Sequence, residues 1–155
     1  MRYASQTAVP VDRSRGEIER ILTRYGADIF SYATSLEQRR AYVAFRYNGV
    51  SFRIDITMPD PEGFKKTPGG RKRRSNDDAY KAYEQAQRQI WRALALYVKA
   101  TLEAVDSGII KIESALLPFA LLPDGRTMSE WAVKALPAAY KTGGEPSLLM
   151  LGDSK

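Results

Sequence analysis

The chain has 155 residues, enough for one domain that buries roughly 68–70% of its unfolded surface without help from a metal or disulfide. It holds no cysteine and no histidine, which removes thiol catalysis, disulfides, thiolate and imidazole metal sites, and the commonest general base. Lys and Arg number 24 against 18 Asp and Glu, a formal charge of +6, and the segment KKTPGGRKRR at 65–74 alone contains that whole excess with no acidic residue. A local basic excess points to an anionic partner: nucleic acid, an anionic membrane surface or an acidic protein. No apolar run is long enough to span a bilayer, MRYASQTAVPVD lacks the apolar stretch of a secretory signal, and the lack of cysteine suits a cytosolic protein.

In chain order, residues 1–12 read as an extended arm. Ser14-Arg15-Gly16-Glu17 has the form of a capping box, and Ile18, Ile21, Leu22 and Tyr25 follow at helical spacing, which predicts a helix over 15–25 stopped by Gly26. Residues 27–33 form a first strand. RAYVAFRY and VSFRIDIT then flank Asn48-Gly49, the strongest short hairpin signal, because a type I′ turn needs positive φ at both central residues. That turn sets Tyr47 against Val50, Phe45 against Phe52, Val43 against Ile54 and Ala41 against Ile56 on one apolar face. Arg40, Tyr42, Ala44 and Arg46 occupy the opposite face, paired with Thr57, Asp55, Arg53 and Ser51.

Residues 58–75, rich in Pro and Gly, read as a long loop that holds the basic segment and stays mobile until it binds. Ser75-Asn76-Asp77-Asp78 opens a long helix ending at Gly108. Tyr83, Ala86, Ile90, Leu94, Tyr97, Thr101, Leu102 and Val105 form its packing face, and Lys81, Arg88, Arg92 and Lys99 a basic stripe. The apolar run IIKIESALLPFALL is cut by Pro118 and Pro123, and Pro123-Asp124-Gly125 is a turn. Thr127-Met128-Ser129-Glu130 is a second capping box, opening a helix to about Leu136. The expected fold is α+β: an α-β-β-β-α core with a three-stranded antiparallel sheet packed on a long helix, plus short C-terminal helices. Its divisions are an arm at 1–12, one domain at 13–140 and a tail at 141–155.

No phosphate-binding glycine motif of the usual kinds occurs. Asp60/Glu62 and Asp77/Asp78 fall short of the convergent carboxylates that a two-metal nuclease needs. No catalytic residue, metal or cofactor is expected. What remains is charge interleaved with aromatics. Lys65, Lys66, Arg71, Lys72, Arg73 and Arg74 of the loop, Arg40, Arg46 and Arg53 of the sheet, and Arg88 and Arg92 of the long helix are candidate phosphate contacts. Tyr42, Phe64 and Trp91 are candidate stacking partners for exposed bases.

The segments VPVDRSRGEIERILTRYGA, VAFRYNGVSFRIDITMPDP, QRQIWRALALYVKATLEAVDSGI and LLPDGRTMSEW resemble a family of small bacteriophage and prophage proteins over about residues 9–140. The resemblance implies a phage setting and the bacterial host cytoplasm, and assigns no activity and no functional residue. The order α-β-β-β-α is similar to the double-stranded-RNA-binding domain, which carries a Lys-rich motif at the start of its second helix; here that start is SNDDAYKAYEQA and the bases precede it. It is similar, more loosely, to phage single-strand-annealing recombinases. The reading is non-enzymatic binding of nucleic acid, DNA in preference to RNA, single-stranded or structure-selective, in phage recombination or replication, with homo-oligomerisation an open expectation. The alternatives are an inhibitor of a host nucleic-acid enzyme, such as an anti-CRISPR protein, and a structural or assembly module.

Overall fold

A computed structural model describes residue 4 and residues 6–144. Three consecutive strands, β1 (Asp28–Ser35), β2 (Arg40–Tyr47) and β3 (Val50–Thr57), form an antiparallel sheet in the order β1-β2-β3. Asn48 (φ 48°) and Gly49 (φ 77°) both take the positive φ of a type I′ turn. The turn locks the register read from sequence, Tyr47 on Val50 through Arg40 on Thr57. Val43, Phe45 and Ala41 are fully buried, and Phe45 stacks between Phe52 and Phe30 at ring distances of 5.4 and 6.3 Å.

Two helices cover that apolar face, α1 (Val11–Arg24) and α2 (Asn76–Asp106). They run in the same direction: Gln85 donates to the Thr7 carbonyl, Arg92 pairs with Glu17, and the Tyr25 hydroxyl donates to the Leu102 carbonyl. The α1 start corrects the sequence reading. The helix begins at Val11 on Pro10, without a side-chain cap, ahead of the expected start at Arg15. Ser14 lies inside the helix, fully buried, with its hydroxyl unpartnered. Pro10 is the N-cap residue, extended at ψ 152°, and it has no side-chain oxygen to accept from the first-turn N–H groups. Ile18 and Leu22 are buried as their spacing implies, and Gly26 (φ 93°) ends the segment.

The sheet has one strained position. Ile29 has φ 50° at the bulge where the β1–β2 register shifts between Asp28 and Ser31. A β-branched side chain is a steric outlier there, and the bulge imposes the conformation.

Ser75 caps α2 by accepting from the Asp78 N–H. The buried face of α2 is Trp91, Ala95, Val98 and Leu102, rotated from the stripe read in the sequence. Ile90, Leu94 and Val105 still pack against the core, but Tyr97 is half exposed. The reason is the second helix: α1 lies along the flank of α2 and widens its buried face toward Trp91.

Beyond α2, a short helix α3 (Ile112–Leu116) and a 3-10 turn (Leu117–Phe119) return the chain to the edge of β3. There Ala120 bridges Phe52, and the Leu121 N–H donates to the Ser51 carbonyl at 2.8 Å. The Asp124-Gly125 turn follows, and α4 (Met128–Thr142) opens with the full capping box between Thr127 and Glu130. This helix runs past Leu136 and past the expected 140/141 boundary, taking Pro137 internally and ending on Gly143. The rest of the expected tail, 145–155, lies outside the described residues. No helix among the described residues is long and apolar enough to cross a membrane.

Candidate nucleic-acid interface

Within the expected loop, the basic segment has regular local structure. Pro61–Phe64 forms a 3-10 turn, opened by Asp60 accepting from the Glu62 N–H. Residues 65–74 then fold into a small β-hairpin. Lys66 and Arg73 bridge, the Thr67 N–H donates to the Lys72 carbonyl at 2.8 Å, and the Arg74 N–H donates to the Lys65 carbonyl at 2.8 Å. Its tip is Thr67-Pro68-Gly69-Gly70, closed by the Gly70 N–H on the Thr67 carbonyl. Proline at the second position and Gly69 (φ 85°) at the third are what a type II turn requires. The Thr67 hydroxyl accepts from the Lys72 N–H and fixes the closing register. Phe64 sets the hairpin base against α2, with its ring 5.8 Å from Tyr83 in an edge arrangement.

This geometry divides the six bases. Arg74 is structural: its guanidinium donates to the Phe64 and Lys66 carbonyls and holds the two arms together. Lys65 pairs with Glu62 at 2.6 Å. Lys66, Arg71, Lys72 and Arg73 are exposed, and none of them has a salt-bridge partner among the described residues. Lys66 and Arg73 stand directly opposite each other in the hairpin. Like charges facing across a strand pair are destabilising.

The outer sheet face is electrostatically occupied. Arg46 makes a two-pronged contact with Asp28, both bonds 3.0 Å. That contact holds the Asp28 carboxyl below its usual range and raises Arg46. Arg53 donates to Asp55, to Glu130 and to the Gly125 carbonyl. The Glu130 carboxylate is held below its usual range first by the Thr127 N–H and then by the Thr127 hydroxyl, with Arg53 and Arg40 adding to it. Arg40 is exposed at one end of this face, and Tyr42 is half-buried in its middle, beside Ala33 and Asp55.

On α2, three members of the basic stripe are partnered as well, while the exposed Lys99 has no salt-bridge partner among the described residues. Arg92 pairs with Glu17 across the helix interface, Arg88 donates to the Gln85 amide oxygen, and Lys81 pairs with Asp77. Trp91 cannot stack on a base: it is 1% exposed, with Arg15 lying 4.3 Å over its ring.

Sequence reasoning missed a groove of about 710 Å3 between the hairpin and α2. Phe64, Lys66, Thr67, Gly69, Gly70 and Arg74 form one wall, and Ala82, Gln85, Ala86 and Gln89 the other. Those four α2 positions recur at threes and fours and share one helix face. The signal was legible as a face lacking both large apolar and charged side chains.

Among the described residues, no group of His, Cys, Asp and Glu is arranged to hold a metal ion. No family model, no curated protein and no solved structure matches the chain.

Proposed function

We propose that the protein binds nucleic acid without catalysis, single-stranded DNA in the first place, through the hairpin at 65–74, in the phage recombination or replication setting that the sequence resemblance implies. The observation that carries this reading is the opposition of Lys66 and Arg73 in a folded hairpin, with Arg71 and Lys72 beside them and no acidic partner on any of the four among the described residues. A phosphate between two facing cations relieves their repulsion, and each neutralised phosphate releases counterions. The hairpin is also fixed in place by Phe64, Arg74 and the type II tip, so little conformational freedom is lost on binding. Arg46 and Arg53 contribute less in this reading, because a phosphate must first displace Asp28 or Glu130.

A second reading, capture of a host protein, is favoured by α4. Val133, Leu136 and Tyr140 share one face of that helix and are 71%, 48% and 89% exposed. Gel shifts of purified protein with labelled single-stranded DNA across a salt series separate the two. Binding that weakens steeply with salt supports the nucleic-acid reading. No shift at low salt, with co-purification of a host protein that Tyr140→Ala abolishes, replaces it with the second.

A further inference from the structure

Resting on that reading, we infer that the groove between the hairpin and α2 receives one unstacked base of a single strand, making the protein selective for strands whose bases are unpaired. The groove has the volume of a small-ligand site, about 710 Å3, where such sites run roughly 300–1,000 Å3. Its chemistry suits a base joined to a phosphate. Ala82 and Ala86 give a floor of small side chains, and Phe64 adds an aromatic ring to the lining. No acidic side chain lines it, so a phosphodiester is not repelled. Lys66 and Arg74 stand on the hairpin wall, and Arg71, Lys72 and Arg73 continue the positive charge outside it.

Gln89 supplies an amide on the α2 wall, with a donor and an acceptor for a base edge. Gln85 is committed elsewhere, donating to the Thr7 carbonyl and accepting from Arg88. It therefore acts as a fixed wall between this groove and the neighbouring one under residues 6–11. A base in a duplex is stacked and paired on both sides and cannot enter; a base in a flexible single strand can. The hairpin charges attract either form, since phosphate contacts carry no base information. The groove adds the discrimination.

The test compares wild type with Ala86→Leu, which fills the floor with a good helix former, and with Gln89→Leu, which keeps a similar shape but removes the amide. Fluorescence anisotropy would be measured on a labelled single strand of mixed sequence, on its duplex, and on an abasic single strand of equal length, with thermal melting to show that each variant is folded. A seated base that contributes as much as one stacked on an aromatic side chain makes Ala86→Leu weaken single-strand binding roughly 5- to 150-fold. Affinity for the duplex and the abasic strand should stay within about twofold, because only the groove is altered. Ala86→Leu and Gln89→Leu both binding the mixed strand as tightly as wild type would overturn the base site. So would an equal loss on all three probes. If the groove variants bind normally while Arg71→Ser/Lys72→Ser/Arg73→Ser weakens every probe, the groove inference fails and the hairpin reading stands. If wild type binds none of the probes, both fail together.

Discussion

Ser14→Ala separates two accounts of how α1 begins, because they give opposite signs. If Ser14 capped the helix, removing its hydroxyl would cost about 0.5–2 kcal/mol. In the structure, the hydroxyl instead lies within the helix, with no exposure and no partner. A buried unsatisfied polar group costs about 1–3 kcal/mol, and Ala removes it while improving helix propensity by a few tenths of a kcal/mol. The lost oxygen leaves only a small void, so the net expectation is a gain of about 1–2 kcal/mol. For a chain of this size that is a rise of roughly 2–8 °C in melting temperature. Calorimetry or circular-dichroism melting of the two proteins reads it directly, with the urea midpoint as a second measure. A fall in both for Ser14→Ala would refute the placement of Ser14 inside the helix.

Phe45→Ala removes a ring that is 1% exposed and stacked on both Phe30 and Phe52. It should cost about 3–5 kcal/mol by urea denaturation, and an unchanged midpoint would mean the sheet faces are inverted. Ile29→Gly relieves left-handed strain of about 1–3 kcal/mol against a chain-entropy cost of about 0.5–1, so melting should show a modest stabilisation; a loss would show that the bulge is not the source of strain. Glu130, Asp28 and Asp124 all have carboxyls held below their usual range, Glu130 and Asp124 chiefly by backbone N–H groups and Asp28 by Arg46. A depressed folded-state value means that the stability they add is complete above the ordinary carboxylate range, about 4, and is lost as pH falls through the folded values. Urea midpoints should therefore drop in acid, and Glu130→Gln should lower the midpoint at neutral pH while making it less sensitive to acid; an acid response identical to wild type would contradict the Glu130 contacts.

The sheet was legible because its information is local. Asn48-Gly49 fixes a turn, the turn fixes a register, and alternation then sorts every side chain between two faces. The α4 capping box was legible for the same reason, with both partners three residues apart. The same pattern misled at Ser14, because the helix already begins at Val11 and Ser14 falls among its buried residues. Trp91 depended on a partner distant in sequence, the flank of α1, which no local pattern records. In the basic segment the charges were plain, but glycine content was read as mobility. Pro68-Gly69 meets the φ demands of one turn, and the Thr67 hydroxyl and Arg74 guanidinium hydrogen-bond across the hairpin. The groove beside it joins a hairpin wall to a helix face, and only the folded chain brings them together.

The most direct test of the hairpin is the salt dependence of single-strand binding. Log affinity against log salt would be measured by anisotropy for wild type and for Arg71→Ser/Lys72→Ser/Arg73→Ser, leaving Arg74 to hold the arms. If two or three of these residues sit on phosphates, the slope should shrink by about 1.5–2 at roughly 0.7 per contact, with melting temperature little changed. A folded variant that keeps the wild-type slope would contradict the claim that this hairpin is where the protein meets nucleic acid.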